Sequence, residues 1–98
     1  IVGVHPKDGA KIPGIRKWSE DYVPSIFDPK KVDQVIEVSE EEATIGARNL
    51  ASKHGVFAGM SSGGAFSAAL KLAEQLTEGF IVMIICDRGD RYLSSQLY

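Results

Sequence analysis

The chain has 98 residues, with 44% hydrophobic and 24% charged residues and a formal net charge of −2. This is enough for one domain with a single modest core, and the composition excludes a disordered tail. The charge leaves no basic excess for neutralising phosphates, so nucleic acid is not an expected partner, and no apolar run is long enough to cross a membrane. One cysteine cannot make an internal disulfide and suits a reducing compartment. No signal peptide is visible, and the first residue, Ile1, lies inside a strand-like run, as in a piece of something longer.

Ile1-Val2-Gly3-Val4 is β-branched and apolar and stops at His5-Pro6-Lys7-Asp8-Gly9, which predicts a buried strand and a turn. All four prolines fall between Pro6 and Lys31. Connections of this length are more often functional than idle. Trp18, Tyr22, Ile26 and Phe27 make this one too apolar for a free linker, so packing against the body is expected, with a helical turn over Pro24 to Phe27. Val32 to Val38 reads as a second strand. Ser39 with Glu42 three residues on is a capping box, and Glu40-Glu41-Glu42 suits the positive end of a helix. Ala43, Ala47, Leu50, Ala51 and His54 share a face and Gly55 is a stop signal, so a helix is predicted over Glu40 to His54.

Gly59-Met60-Ser61-Ser62-Gly63-Gly64 then leads into a helix predicted from Gly63 to Leu76. Apolar residues surround most of it, as in a sandwiched helix. Phe80 to Cys86 is a continuous apolar run, the pattern of a parallel strand covered on both faces, and a last helical piece is expected from Arg91. Strands alternating with helices predict an α/β architecture.

The glycine-flanked serines are the sharpest candidate site. Glycines allow close backbone approach, a helix start offers unpaired N–H groups, and hydroxyls donate or accept. The alternative is an N-cap serine with glycines that permit tight packing. Cys86, at the carboxyl end of a predicted parallel strand, reads either as a buried structural thiol or as a site-lining one. Arg16, beside Gly14 and Lys17, reads as a solvated loop charge unless a site lies near. His5 and His54 lack partners at ligand spacing, so no metal site is expected. No Ser-His-Asp arrangement is predicted, since His54 falls on the apolar helix face.

Gly59 to Ala65, the Ile81 to Ile85 run and Cys86-Asp87-Arg88-Gly89-Asp90-Arg91-Tyr92-Leu93-Ser94 closely resemble the C-terminal part of the cysteine synthases. These are O-acetylserine sulfhydrylases that depend on pyridoxal 5'-phosphate (PLP). Ile1-Val2-Gly3-Val4 and Ile12-Pro13-Gly14-Ile15-Arg16-Lys17-Trp18 resemble the B-type branch. The resemblance implies that residues 1–98 are the last third of an enzyme. They would form part of the larger three-layer α/β domain of the tryptophan synthase β-subunit-like fold, PLP fold type II. The implied parent is a cytoplasmic homodimer that joins O-acetylserine to sulfide or thiosulfate by β-replacement.

The resemblance further implies that Ser61 binds the PLP ring nitrogen, and that Arg16, Cys86 and Asp87 line the substrate pocket. A serine hydroxyl stays neutral at working pH, so it would bond that nitrogen without keeping it protonated. The family's Schiff-base lysine, its cofactor-phosphate loop and its substrate-carboxylate loop have no counterpart here. The 98-residue chain alone is therefore expected to be inactive, unable to retain PLP, and ordered only as a dimer or strand- or helix-exchanged assembly, with Phe80 to Cys86 and the helix from Gly63 buried in the contact. The alternatives are a related PLP lyase or cystathionine synthase, or a non-enzymatic anion-binding module.

Overall fold

The computed structural model describes residues 1–98. Two strands, β1 (Val2–Pro6) and β2 (Gln34–Val38), pair in parallel with Val4 opposite Ile36. Two helices follow, α1 (Glu40–His54) and α2 (Met60–Glu74). A parallel pair needs a crossover, and the proline-rich segment between Pro6 and Gln34 supplies it. That segment holds only short 3₁₀ turns at Glu20–Tyr22 and Pro29–Lys31, with a bend in which Phe27 N–H donates to Pro24 O at 2.9 Å.

α1 runs over its predicted bounds because its sequence punctuates both ends. Ser39 Oγ accepts from Glu42 N–H at 3.1 Å while Glu42 Oε2 accepts from Ser39 N–H at 2.7 Å. At the other end Gly55 takes the left-handed conformation, φ 68°, and returns its N–H to Ala51 O. α2 begins at Met60, three residues earlier than predicted, with Gly59 as N-cap and no side-chain cap. Ser61 and Ser62 therefore belong to the first helical turn and cap nothing.

α2 packs on both strands and on α1, which is why its N-terminal half is apolar all round. Towards its C-terminal end the covering runs out and Leu70 is exposed. Val38, Ala43, Ala47, Ala68 and Met60 form the buried centre together with Ile12 and Leu97. The chain end is tied down by Arg48, whose Nε and Nη2 donate to Leu97 O and Gln96 O at 2.7 and 2.9 Å.

Several expectations are corrected. Phe80 to Cys86 is neither paired nor covered: Phe80, Val82 and Ile84 are exposed, Val82 and Ile84 to 90% and 71%. A continuous apolar strand needs a ladder on its edge and a layer on each face, and this chain provides one helix and no adjacent strand. Cys86 is accordingly exposed, not buried. The last helical piece is a 3₁₀ turn at Gly89–Tyr92. Trp18, Tyr22 and Ile26 are exposed, and Trp18 meets Phe27 edge-on at 5.3 Å, so this loop packs largely on itself. His54 is exposed, edge-on to Phe66 at 5.6 Å.

Glu42 also joins the sheet side to the helices. Its carboxylate lies 2.7 Å from Lys71 Nζ and 3.7 Å from Lys7 Nζ. The Lys71 hydrogen bond, aided by the Ser39 N–H and the two lysine charges and opposed by burial, pulls its pKa from 4.5 down to about 2. A depressed carboxylate pKa stabilises the fold fully above 4.5, and the stabilisation is lost as pH falls from there towards 2. The full shift would convert to about 3 kcal/mol, but the side chain is 32% exposed, so solvent screening brings the expectation to ~1–2 kcal/mol. Glu42→Gln, which still caps the helix, should lose that amount at pH 7 and flatten the acid side of the stability curve in urea titrations. An unchanged acid limb would show that Glu42 is not its source.

Candidate functional site

The start of α2, the Gly14 loop and the segment ending at Cys86 converge on one apolar cavity of about 410 Å³. Ser61 and Cys86 both line it, with Val2 and Val4 of β1 opposite and Ala65 and Ala69 of α2 as its floor. Ser61 is 3% exposed and stands against Gly14, whose φ is 90°. A methyl at position 14 would sit 2.9 Å from Ser61 Cβ and 3.0 Å from its Oγ, so Gly14 leaves the room that keeps this hydroxyl on the cavity wall.

Of the two serines, Ser62 is the one committed to the protein. It is fully buried, and its Oγ accepts the Cys86 N–H at 3.0 Å, clamping the end of the apolar segment onto the first turn of α2. Gly59 N–H donates to Asp87 O at 3.1 Å and Gly89 N–H to Phe57 O at 3.0 Å, which completes a short antiparallel contact about Ala58 and Arg88.

Asp87 turns away from the cavity. Its Oδ2 accepts from Tyr92 OH at 2.7 Å, and its Oδ1 is buried against Gly59 without a hydrogen-bond partner. Gly59 is the N-cap of α2, so this carboxylate lies at the positive end of the helix. The hydrogen bond to Asp87 raises the Tyr92 pKa above 10.0, with burial and the Asp87 charge acting in the same direction.

Arg16 does not line the Ser61 cavity. It is exposed on a neighbouring hollow of about 340 Å³ with Lys7, Asp8 and Lys17, and Ile15 separates the two spaces by facing both. The structure thus brings Ser61 and Cys86 together and leaves Arg16 and Asp87 at the margins. Sequence reasoning singles out Ser62 but not its bond to Cys86, and it assigns no role to Gly14 or Tyr92. Tyr92 and Asp87 are five residues apart, a spacing with a local signal, whereas Ser62 meets Cys86 across 24 residues and no local pattern marks it.

No lysine lines the Ser61 cavity. No helix of the chain is long and apolar enough to cross a membrane.

Comparison with known proteins gives these features a context. The chain is 50% identical over its whole length to cysteine synthase B of Pseudomonas aeruginosa and 46% identical to that of Escherichia coli. It spans about a third of the length of those curated relatives, 33% and 32%. Among solved structures it superposes on the Entamoeba histolytica cysteine synthase with a TM-score of 0.86 at 34% identity, covering 100% of this chain and 32% of that one. An O-acetylserine-dependent cystathionine β-synthase from Helicobacter pylori matches with a TM-score of 0.72 at 36% identity, covering 99% of this chain and 34% of that one. The profile of the family described as pyridoxal-phosphate dependent enzyme matches residues 3–87, from β1 to the Cys86 turn, and the chain belongs to that family.

Proposed function

We propose that residues 1–98 are the C-terminal portion of a PLP-binding cysteine synthase domain of the B type. The whole protein would be a cytoplasmic homodimer making L-cysteine or S-sulfocysteine from O-acetylserine and sulfide or thiosulfate. The observation that carries this reading is the buried Ser61 hydroxyl on the cavity wall, with Gly14 leaving space in front of it. The residues present fit one edge of the cofactor. When bound, PLP supplies an electron sink for eliminating and replacing the β-substituent of an amino acid.

Ser61 is the residue that would hold the ring nitrogen, by a neutral hydrogen bond that would not keep it protonated, because a serine hydroxyl neither gains nor loses charge at working pH. Ser62 fixes the Cys86 backbone beside it, so the thiol borders the substrate space. Arg16, on an exposed loop, offers a guanidinium to an anionic sulfur donor. Asp87 contributes at the rim through the turn that it anchors with Tyr92. Residues 1–98 provide one wall and no Schiff-base lysine, so the chain by itself is inactive and does not retain PLP. The 46–50% identity to cysteine synthase B supports this reading over the lyase and over an anion-binding module.

The test uses the whole enzyme. Ser61→Ala should retain PLP, alter its absorbance and slow β-replacement by about 1–3 kcal/mol, the cost of an unpaired buried polar partner. Unchanged turnover and spectrum would place Ser61 away from the ring. In the same assay Arg16→Ala should lose about 1–3 kcal/mol more with thiosulfate than with sulfide. Equal losses with both donors would make Arg16 a structural residue.

A further inference from the structure

Asp8 and Gly9 form the tip of the turn that leaves β1. Lys7 N–H donates to Val38 O at 2.8 Å and Ala10 N–H returns to Lys7 O at 2.9 Å, so the turn hangs from the sheet by its two ends. Between those ends Asp8 and Gly9 are exposed, and Gly9 takes φ 80°, a conformation that glycine adopts freely. Gly9 N–H makes no backbone hydrogen bond, and the Asp8 carboxylate enters no ion pair. A methyl built on Gly9 would meet nothing within 4 Å. Only the bond that closes the turn resists a rotation bringing the Gly9 nitrogen towards Asp8 Cγ.

Every other aspartate is held, or is followed by a nitrogen that cannot attack it. Asp28 accepts from Lys30 N–H at 3.0 Å and precedes Pro29, which has no N–H. Asp33 pairs with the Ile1 amine and precedes Gln34, whose N–H is bonded to Ile1 O. Asp87 is held by Tyr92, and Asp90 by two bonds from Arg88 at 3.0 and 2.7 Å. Asp21 precedes Tyr22, whose N–H donates to Ser19 O at 3.0 Å. Asn49 lies inside α1 and precedes the branched Leu50. Asp8 alone combines a free carboxylate, a free neighbouring N–H and a neighbour without a side chain.

We propose that Asp8–Gly9 is a site of spontaneous isoaspartate formation, and that the product is a substrate for a carboxyl methyltransferase that recognises isoaspartate. The Gly9 nitrogen attacks Cγ of the protonated Asp8 carboxyl. An N–C bond forms, the C–OH bond breaks, and the amide proton leaves with that hydroxyl as water. The product is a five-membered succinimide. Water then opens either of its carbonyls, and no electrons change hands. Opening at Cγ restores Asp8. Opening at the main-chain carbonyl leaves a chain one methylene longer, with a free carboxylate on Cα. Methyl transfer from a sulfonium donor to that carboxylate gives an ester, which recloses to the succinimide with loss of methanol. The added methylene falls between β1 and Ala10, which packs on the core, and beside the hollow that Arg16 borders.

The experiment keeps the whole protein that contains residues 1–98 in warm neutral buffer. At intervals its peptides are probed with a purified isoaspartyl methyltransferase and a labelled methyl donor. The peptide carrying Asp8 should gain label about tenfold or more faster than any other peptide of residues 1–98, and within about tenfold of the rate in a free peptide spanning His5 to Lys11, since an exposed turn opens at little cost. Asp8→Glu keeps the charge but needs a six-membered ring, and it should abolish the label there. Asp8→Asn forms the same succinimide with ammonia as the leaving group. Its amide is not ionised at neutral pH, so label should appear about tenfold or more faster than in the parent. The proposal is overturned if the Asp8 peptide gains label no faster than the others, if the folded protein lags the free peptide by more than that margin, or if Asp8→Glu is labelled like the parent. The readout involves neither cofactor nor turnover, so its outcome is independent of the proposed enzymatic role.

Discussion

Gly63→Ala is expected to cost at least about 3 kcal/mol, the upper range of overpacking penalties, because the added methyl has no flexible neighbour to displace. A Cβ at Gly63 would overlap the backbone of α1 at Ala43 O and Ala47 N and stand 2.8 Å from Ala47 Cβ. The opposing surface is equally small: a Cβ at Gly46 would lie 2.7 Å from Ser67 Oγ and 2.9 Å from the Gly63 carbonyl carbon. Ser67 further locks the seam by donating to Glu42 O at 2.7 Å. The two helices can yield only by separating, and separation would lift α2 from α1 at the end that carries Ser61 and Ser62. At about 4–8 °C per kcal/mol for a chain of this size, the melting temperature should fall by roughly 12 °C or more. Gly3→Ala is the control, since its Cβ would meet Val32 Cγ1 at an ordinary 3.4 Å, and it should stay within about 1 kcal/mol. A Gly63→Ala chain as stable as the control would mean that the helices are not held at this separation.

Local sequence marked α1 fully because each of its ends carries its own instruction: the Ser39–Glu42 box at one and the left-handed Gly55 at the other. α2 starts three residues before the position its sequence predicts because Gly59 caps it with backbone alone, leaving no side-chain signature to read. The 80–86 segment has the composition of a covered strand, and composition reports the surroundings a segment is suited to, not those present in one chain. Its exposure could not be read from Phe80 to Cys86 without knowing which neighbours accompany it. Ser61 and Cys86, which the sequence singles out beside glycines and at the end of an apolar run, do line one cavity. The contacts that hold them were hidden, since Ser62, Gly14 and Gly59 meet partners distant in sequence.

Gly59 is the second position where one methyl should have a large effect, and here the damage falls on the turn beside the site. Its Cβ would overlap Asp87 Oδ1 and lie 2.6 Å from Tyr92 Cε2. Asp87 is too short to swing clear while Oδ2 keeps the Tyr92 hydroxyl at 2.7 Å, so the substitution forces that hydrogen bond to break. Overpacking of about 1–3 kcal/mol then adds to the loss of a bond to a charged group, and Gly59→Ala should be destabilised by about 3 kcal/mol in total. The tyrosine supplies a local readout. Its pKa is raised above 10.0 chiefly by Asp87, so phenol ionisation monitored by ultraviolet absorbance should return towards 10.0 in Gly59→Ala and in Asp87→Asn alike. A raised tyrosine pKa stabilises the fold below 10.0 and ceases to do so as pH rises through the folded value, so the variants should lose the Tyr92 share of the expected alkaline drop in stability and keep the share of Tyr98, whose pKa burial also raises. Loss of stability with the phenol titration unchanged would show that the methyl is absorbed elsewhere. Asp87 would then keep its bond to Tyr92, and the turn holding Cys86 against Ser62 would be set by the backbone contacts of Gly59 and Gly89 alone.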